Sequence, residues 1–249
     1  MKFSIIHPYF NDSSMLATHL KLWKIVSNSL SINKQSLEII IVDDHSSVGE
    51  EPNVELLKQI DLPITVVKIE NDIIWNISGA KNLGASMARY SRLIMADFDF
   101  AITPELIVEL NRVDLSDPNL MLFPLGQYNR NQKYGPFGKV NRGHCNSFVI
   151  SKELFNRVGG YDEDFAGAWG SEDSYFLHLC DVNGARKVEM TSPGFFFHIR
   201  DRSLKDITYY RYNMVRNQDL FKRKKNKAAI RNYGPTLRFK HRVIHTQGY

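Results

Sequence analysis

Two acidic residues spaced by one, Asp97 and Asp99, follow the apolar run Leu93-Ile94-Met95-Ala96, and Thr103-Pro104-Glu105 then opens a helix-like stretch. Strand residues alternate faces, so both carboxylates point the same way if the strand persists to its end. Two anionic oxygen donors there suit a hard divalent cation, Mn2+ or Mg2+, with a diphosphate supplying the remaining ligands. A solvated loop with two ordinary acids fits the same letters. Two further acidic pairs stand out: Asp43-Asp44, directly after an apolar run, and Glu172-Asp173, behind Trp169-Gly170-Ser171.

The elements that must position these groups alternate. Residues 2–6 and Glu38 to Val42 read as buried strands, and Ile64 to Ile69 and Arg92 to Ala96 as two more. Residues 14–30 and 78–90 carry near-helical apolar periods between them. Strands alternating with helices imply an α/β fold with a mostly parallel sheet covered on both faces. In such sheets ligands lie beyond the carboxyl ends of the strands. The polar clusters at 7–12, 43–47 and 97–99 all follow strands in this way. Residues 118–150, rich in Asn, Gly, Pro and aromatics, suggest an irregular segment or a small added sheet. Ser151 is expected to cap a short helix stopped by Gly159-Gly160, and Ser171 to cap another through about Asp181. Ser203 to Lys225 reads as a long helix with a basic end.

With 249 residues, the chain suffices for one large α/β domain or two small ones. No apolar run reaches the roughly 20 residues of a membrane span, and the first residues lack a signal-peptide core. Cys145 and Cys180 alone make no disulfide framework. The cytoplasm is the expected compartment. The net charge is +5, yet residues 222–249 hold nine Lys or Arg and no Asp or Glu, so residues 1–221 carry −4. This basic C-terminal tail suits anionic lipid headgroups, a polyanionic acceptor or nucleic acid, or is a solvated terminus. Peripheral membrane contact is retained as its candidate role, and no nucleic acid is expected.

Taken in order, the motifs resemble those of family 2 glycosyltransferases of the GT-A (Rossmann-like) fold. Ser4-Ile5-Ile6-His7-Pro8-Tyr9-Phe10-Asn11 looks like their first strand and turn, and Ile39 to Ser46 like their second. Gly79-Ala80-Lys81-Asn82-Leu83-Gly84 is similar to their Ala-Arg-Asn-x-Gly helix, with Lys in place of Arg. Asp97-Phe98-Asp99 stands where their metal motif belongs. Val158 to Phe165, followed by Trp169-Gly170-Ser171-Glu172-Asp173, resembles their acceptor-side segment, shared with galactosyltransferase-like C-terminal regions.

The likeness covers about residues 1–200. It implies a domain over 1–221, with a nucleotide-sugar half at 1–103, an acceptor half at 104–200, and the tail at 222–249.

The resemblance also implies roles. Asp43 or Asp44 contacts the base or ribose, by charge-assisted hydrogen bonds, unless one merely caps the turn. Pro8 and Tyr9 line the base site, and Tyr9 either stacks on the base or belongs to the core. Lys81 and Asn82, near a helix start, suit the diphosphate, although Lys cannot copy a bidentate Arg. Asp97 is assigned to the ribose or to metal-bound water. Asp99 is assigned to the ion, with His198 completing the metal shell or packing in the core. Asp173 is implied as the base that takes the acceptor hydroxyl's proton, with Glu172 holding an acceptor hydroxyl and Trp169 forming a platform for a sugar ring. Glu172 and Asp173 also fit a plain helix first turn.

The expected activity is metal-dependent, inverting transfer of a hexosyl or N-acetylhexosaminyl group from a nucleotide-diphosphate sugar to a glycan or glycoconjugate hydroxyl, as in polysaccharide biosynthesis. UDP is the expected nucleotide. The alternative is a non-catalytic glycan- or nucleotide-sugar-binding module of a larger synthase. A nucleotidyltransferase or dinucleotide oxidoreductase is disfavoured, because His7 to Asp12 contains no Gly after the first strand.

Overall fold

The structure is a computed structural model that describes residues 1–29, 33–128, 139–141, 145–190, 195–198, 214–227 and 234–248. Its centre is an eight-stranded sheet. Four parallel strands form the middle: β4 (Arg92–Ala96), β1 (Phe3–Tyr9), β2 (Leu37–Asp43) and β3 (Ile64–Ile69), neighbours in that order. Beyond β4 lie β9 (Ser147–Ser151), antiparallel to it, then β6 (Leu120–Phe123) and β10 (Arg186–Glu189). A second sheet of four strands has the order β5 (Phe100–Ile102), β11 (Phe195–His198), β7 (Leu125–Tyr128), β8 (Lys139–Asn141). The added sheet expected near 118–150 is therefore real, and it is tied to the acidic turn through β5. The whole is the mixed, mostly parallel sheet of the GT-A fold.

Period-2 alternation sorts the side chains between two layers. Ile39 and Ile41 of β2 pack with Phe3 and Ile5 of β1 against Leu16 and Trp23 of α1 (Ser13–Asn28), Leu57 of α2 (Val54–Leu57) and Leu106 of α4 (Pro104–Leu110). Ile40, Val42 and Ile6 face the other way, against Ala80 and Leu83 of α3 (Ile77–Met87), Leu154 of α5 (Lys152–Arg157) and Phe176 of α6 (Glu172–Val182). Each buried Val, Leu, Ile or Phe side chain among them contributes about 2 kcal/mol by leaving water. Gly84 lets α3 lie close on β1, since a Cβ there would come 2.5 Å from the Ile6 Cγ2.

Several helix starts follow their capping residues. Asp12, Asn76, Thr103 and Ser151 each accept a backbone N–H from the first turn with the side chain. Ser171 corrects the expectation: it takes the left-handed conformation (φ 70°), and its hydroxyl makes no capping bond. The turn through Gly170 (φ 96°) and Ser171 sets the entry to α6 instead.

The basic C-terminal stretch is built into the molecule. Of the helix expected over 203–225, α7 (Met214–Lys225) is described and 203–213 lies outside the described residues. Lys224 pairs with Asp162 and Asp164, and Arg238 also pairs with Asp164. β12 (His241–Gln247) then runs antiparallel along β3 at the sheet edge. Among the described residues no helix is long and apolar enough to cross a membrane.

Candidate active site

The carboxyl ends of β1, β2 and β4 open onto one cleft. It is lined by Pro8, Tyr9, Phe10, Asp12, Met15, Asp44, Trp75, Asn76, Ile77, Asp97, Phe98 and Asp99. The structure thus brings together Pro8, Tyr9, Asp44, Asp97 and Asp99 from the expected donor side. Tyr9 does two jobs: its ring is buried edge-on to Phe98, centroids 4.9 Å apart, and its hydroxyl donates to the Glu50 carbonyl at 2.6 Å. That fixes it as a wall of the cleft that is also core.

Asp43 and Asp44 separate in role. Asp43 Oδ1 accepts from the Ser46 amide at 2.9 Å and Oδ2 lies 3.6 Å from Lys68 Nζ, so this residue caps the turn after β2. Asp44 is 8% exposed and faces the cleft. Its Oδ2 accepts from the Asn76 amide at 2.9 Å, and its buried Oδ1 has no protein hydrogen-bond partner. Burial pushes this carboxyl up to about 7, against the pull of the Asn76 amide.

The acidic turn differs from the strand expected. β4 stops at Ala96, and Phe100 N donates to the Asp97 carbonyl at 2.9 Å, closing a turn into β5. Asp97 and Asp99 reach the same cleft through this turn and not through strand alternation. Two buried histidines hold it: His7 Nδ1 donates to the Ala96 carbonyl at 3.0 Å, and His19 Nε2 to that of Phe98 at 2.7 Å. Desolvation keeps both rings neutral, His19 falling to about 4. Asp97 Oδ2 accepts from Asn146 Nδ2 at 2.7 Å, and its Oδ1 lies 3.1 Å from Lys81 Nζ. Burial raises the Asp97 carboxyl, with Lys81 opposing the rise.

Lys81 and Asn82, expected at the diphosphate, are not among the residues that line the cleft. α3 begins at Ile77, and Asn76 already takes up its first amides, with Gly79 N donating to Oδ1 and Ala80 N to the carbonyl. Lys81 lies in the second turn with its side chain wholly buried. Its Nζ donates to Asp173 Oδ1 at 2.8 Å and stands 4.9 Å from the centre of the Tyr161 ring. Asn82 ties α3 to residues 161–163: Nδ2 donates to the Tyr161 carbonyl and to Glu163 Oε1, and Oδ1 accepts from Tyr161 N. Its amide is spent on scaffold.

Behind Trp75 and Lys81, and not among the cleft-lining residues, Glu172 and Asp173 occupy the first turn of α6. Glu172 is 4% exposed; its Oε1 accepts from the Trp75 indole N–H at 3.3 Å, and Oε2 is buried without a protein partner. Burial first, and the charge of Asp173 second, push this carboxyl well above the ordinary range. Trp169 meets Trp75 edge to face, centroids 6.4 Å apart. From α7, Asn217 Nδ2 donates to the Phe165 and Ala168 carbonyls, and Arg216 donates to those of Asp164 and Ala166. These bonds fix the loop that leads to Trp169.

For a cation, Asp99 is the placed donor. His198 ends β11 in register with Phe100, the residue after Asp99, and its side chain lies outside the described residues. Among the described residues no three His, Cys, Asp or Glu side chains gather to hold a metal. The Asp99 carboxylate has the oxygen-donor chemistry of a hard divalent ion whose other ligands come from substrate oxygens.

Trp75, Asn76, Asn146, Tyr161 and Asn217 were not legible as site residues. Only Asn76 left a signal, a capping residue three places before Gly79.

The profile of the Glycosyl transferase family 2 sequences matches residues 4–159. The chain belongs to that family. The match ends before Trp169, so the Trp-Gly-Ser-Glu-Asp segment lies beyond it. No curated protein sequence matches the chain. Among solved structures, S. aureus TarS 1–349 in complex with UDP-GlcNAc is similar at 15% identity, with a TM-score of 0.62 over 82% of this chain and 60% of that one. The mannosyltransferase PcManGT from Pyrobaculum calidifontis, in complex with GDP-Man and Mn2+, gives 16% identity and a TM-score of 0.63 over 92% and 65%. GalNAc-T7 with UDP, GalNAc and Mn2+ gives 15% and 0.58 over 80% and 44%. At these identities the likeness is one of fold, and the chain spans about three fifths of the TarS fragment.

Proposed function

We propose that this family 2 protein transfers a sugar, with inversion, from a nucleotide-diphosphate donor to a hydroxyl of a glycan or glycoconjugate, and that it uses a divalent cation. One observation carries the reading: Asp173, from the second half of the chain, shares a single buried ammonium with Asp97 of the donor cleft. A carboxylate from the acceptor side is thereby within one side chain of the donor's turn. The solved relatives carry UDP-GlcNAc, GDP-Man, or UDP with GalNAc, two of them with Mn2+, which supports a nucleotide-sugar donor and an ion.

In this reading Asp44 Oδ1 accepts a hydrogen bond from the nucleoside, and Pro8 and Tyr9 wall the base. Asp97 faces the ribose, held by Asn146. Asp99, with His198, would hold Mn2+ or Mg2+, which supplies Lewis-acid stabilisation of the leaving diphosphate. Glu172 and the Trp75–Trp169 corner hold the sugar ring on the acceptor side. Asp173 takes the proton of the acceptor hydroxyl. The acceptor oxygen bonds to the anomeric carbon from the face opposite the leaving group, and the nucleoside diphosphate departs with the electron pair of the broken C–O bond. UDP is the nucleotide we assign. The exposed Lys222, Arg223, Lys225 and Lys227 suit an anionic acceptor or a membrane surface.

The test is release of UDP from UDP-GlcNAc, UDP-glucose and UDP-galactose with and without Mn2+. Mn2+-dependent release that falls by at least about 100-fold in Asp173→Ala supports the reading. UDP binding without release from any donor, in protein that is folded, favours a binding module instead.

A further inference from the structure

We infer that Lys81 is a positioning residue for the base and not a ligand of the donor's diphosphate. The inference rests on the reading of Asp173 as the base. Lys81 has no exposed side-chain surface, and its Nζ lies 2.8 Å from Asp173 Oδ1 and 3.1 Å from Asp97 Oδ1. The ammonium also stands 4.9 Å from the Tyr161 ring centre, a cation–π distance. The charge is thus held by two carboxylates and an aromatic face at once. Turning it toward a phosphate would leave two carboxylates in a low-dielectric site without their counter-charge, which is strongly unfavourable.

What the arrangement does follows from which oxygen it occupies. Asp173 Oδ1 is engaged by Lys81, so Oδ2 is the oxygen left to receive the acceptor's proton. The same ammonium reaches Asp97, which sits on the turn that lines the donor cleft. The base is thus aligned to the donor's turn through one side chain fixed on α3. A Lys on this helix reads as a phosphate contact in the sequence; its neighbours in the fold give it different work. Misplacing a reacting group by about 1 Å costs on the order of 100-fold in rate.

The experiment compares the full-length wild type with Lys81→Met, Lys81→Arg, Asp173→Ala and the Lys81→Met/Asp173→Ala double variant. Turnover is read as UDP release from the active donor with Mn2+, and affinity as UDP binding by calorimetry. Lys81→Met is expected to lose about 100-fold in kcat while UDP affinity stays within about 3-fold. Lys81→Arg is expected to recover at least about 10-fold of that loss by restoring the charge. In the Asp173→Ala background, Lys81→Met is expected to cost less than about 2-fold more, because the two act as one unit. UDP affinity falling 10-fold or more in Lys81→Met with kcat held at saturating donor overturns the inference, as do additive losses in the double variant. If Lys81→Met does not fold, Lys81→Arg decides alone: reduced kcat with intact UDP affinity supports the inference, and lost affinity overturns it. Wild-type turnover in Asp173→Ala sinks the base assignment itself, which separates that failure from a failure of Lys81.

Discussion

The indole nitrogen of Trp75 lies 3.3 Å from Oε1 of Glu172, so a side chain from the segment before α3 holds the first carboxyl of α6. The backbone at Trp75 is left-handed (φ 57°), and its carbonyl accepts from Gly167 N at 3.2 Å. One residue in an uncommon conformation therefore grips both the loop and the helix that carry the acceptor side. Trp75→Phe keeps an aromatic face and removes the indole N–H. The expected result is a loss of about 1–2 kcal/mol in stability and a several-fold rise in acceptor KM with donor KM unchanged. Chemical denaturation and steady-state kinetics check it, and an unchanged acceptor KM refutes the link.

Asp44 sets stability against binding. Its ordinary value of 3.8 is raised to about 7, chiefly by burial. The folded chain therefore keeps a proton that the unfolded chain releases. Stability from this group is complete below about pH 4 and is lost as the pH rises through about 7. Asp44→Asn escapes that loss. It should melt about 5 °C above wild type at pH 8 and show no advantage near pH 4, while binding UDP about 10-fold more weakly for want of a charged acceptor. Melting curves across pH, with UDP titrations, test both halves.

In the proposed function Asp99 would hold the metal. Mn2+ with UDP should raise the wild-type melting temperature by mass action. Asp99→Ala should lose the Mn2+-dependent part of that rise and at least about 100-fold in UDP release. Full Mn2+-dependent activity in this variant would remove the residue from the metal site.

Asn217 spends both amide hydrogens on the Phe165 and Ala168 carbonyls and is fully buried. Asn217→Ala leaves those carbonyls short of donors, at a cost of about 3 kcal/mol. The loop then loses its hold before Gly170 and Ser171. A variant that stays folded yet shows an unaltered acceptor KM would argue that α7 only buttresses the core.

Much of the donor side was readable from the letters. Ile64–Ile69 and Arg92–Ala96 fall at their expected bounds, because an apolar run between polar clusters leaves little freedom for a buried strand. Asp44 in the cleft follows from its place after β2. The turn at 97–99 was not readable, since it depends on His7 and His19, 90 and 78 residues before Asp97. Lys81 read as a diphosphate contact, and its two carboxylate partners were not readable because they lie 16 and 92 residues away. β12 gave no signal either. As an edge strand it is mostly exposed and joins the sheet by backbone pairing, so its sequence carries no apolar pattern.

The paired rings of His7 and His19 bear on how this protein can change its substrate. They pack against each other, Trp23 and Phe98 at centroid distances of 4.3–5.9 Å while gripping the peptides on either side of Asp97. The floor of the cleft is thus an extension of the hydrophobic interior. A transplanted turn from another enzyme would arrive without its anchors and disturb β1 and α1 together. Diversification, in nature or in the laboratory, has its open route at the rim, through Phe10, whose exposed side chain can be exchanged without rebuilding what lies beneath.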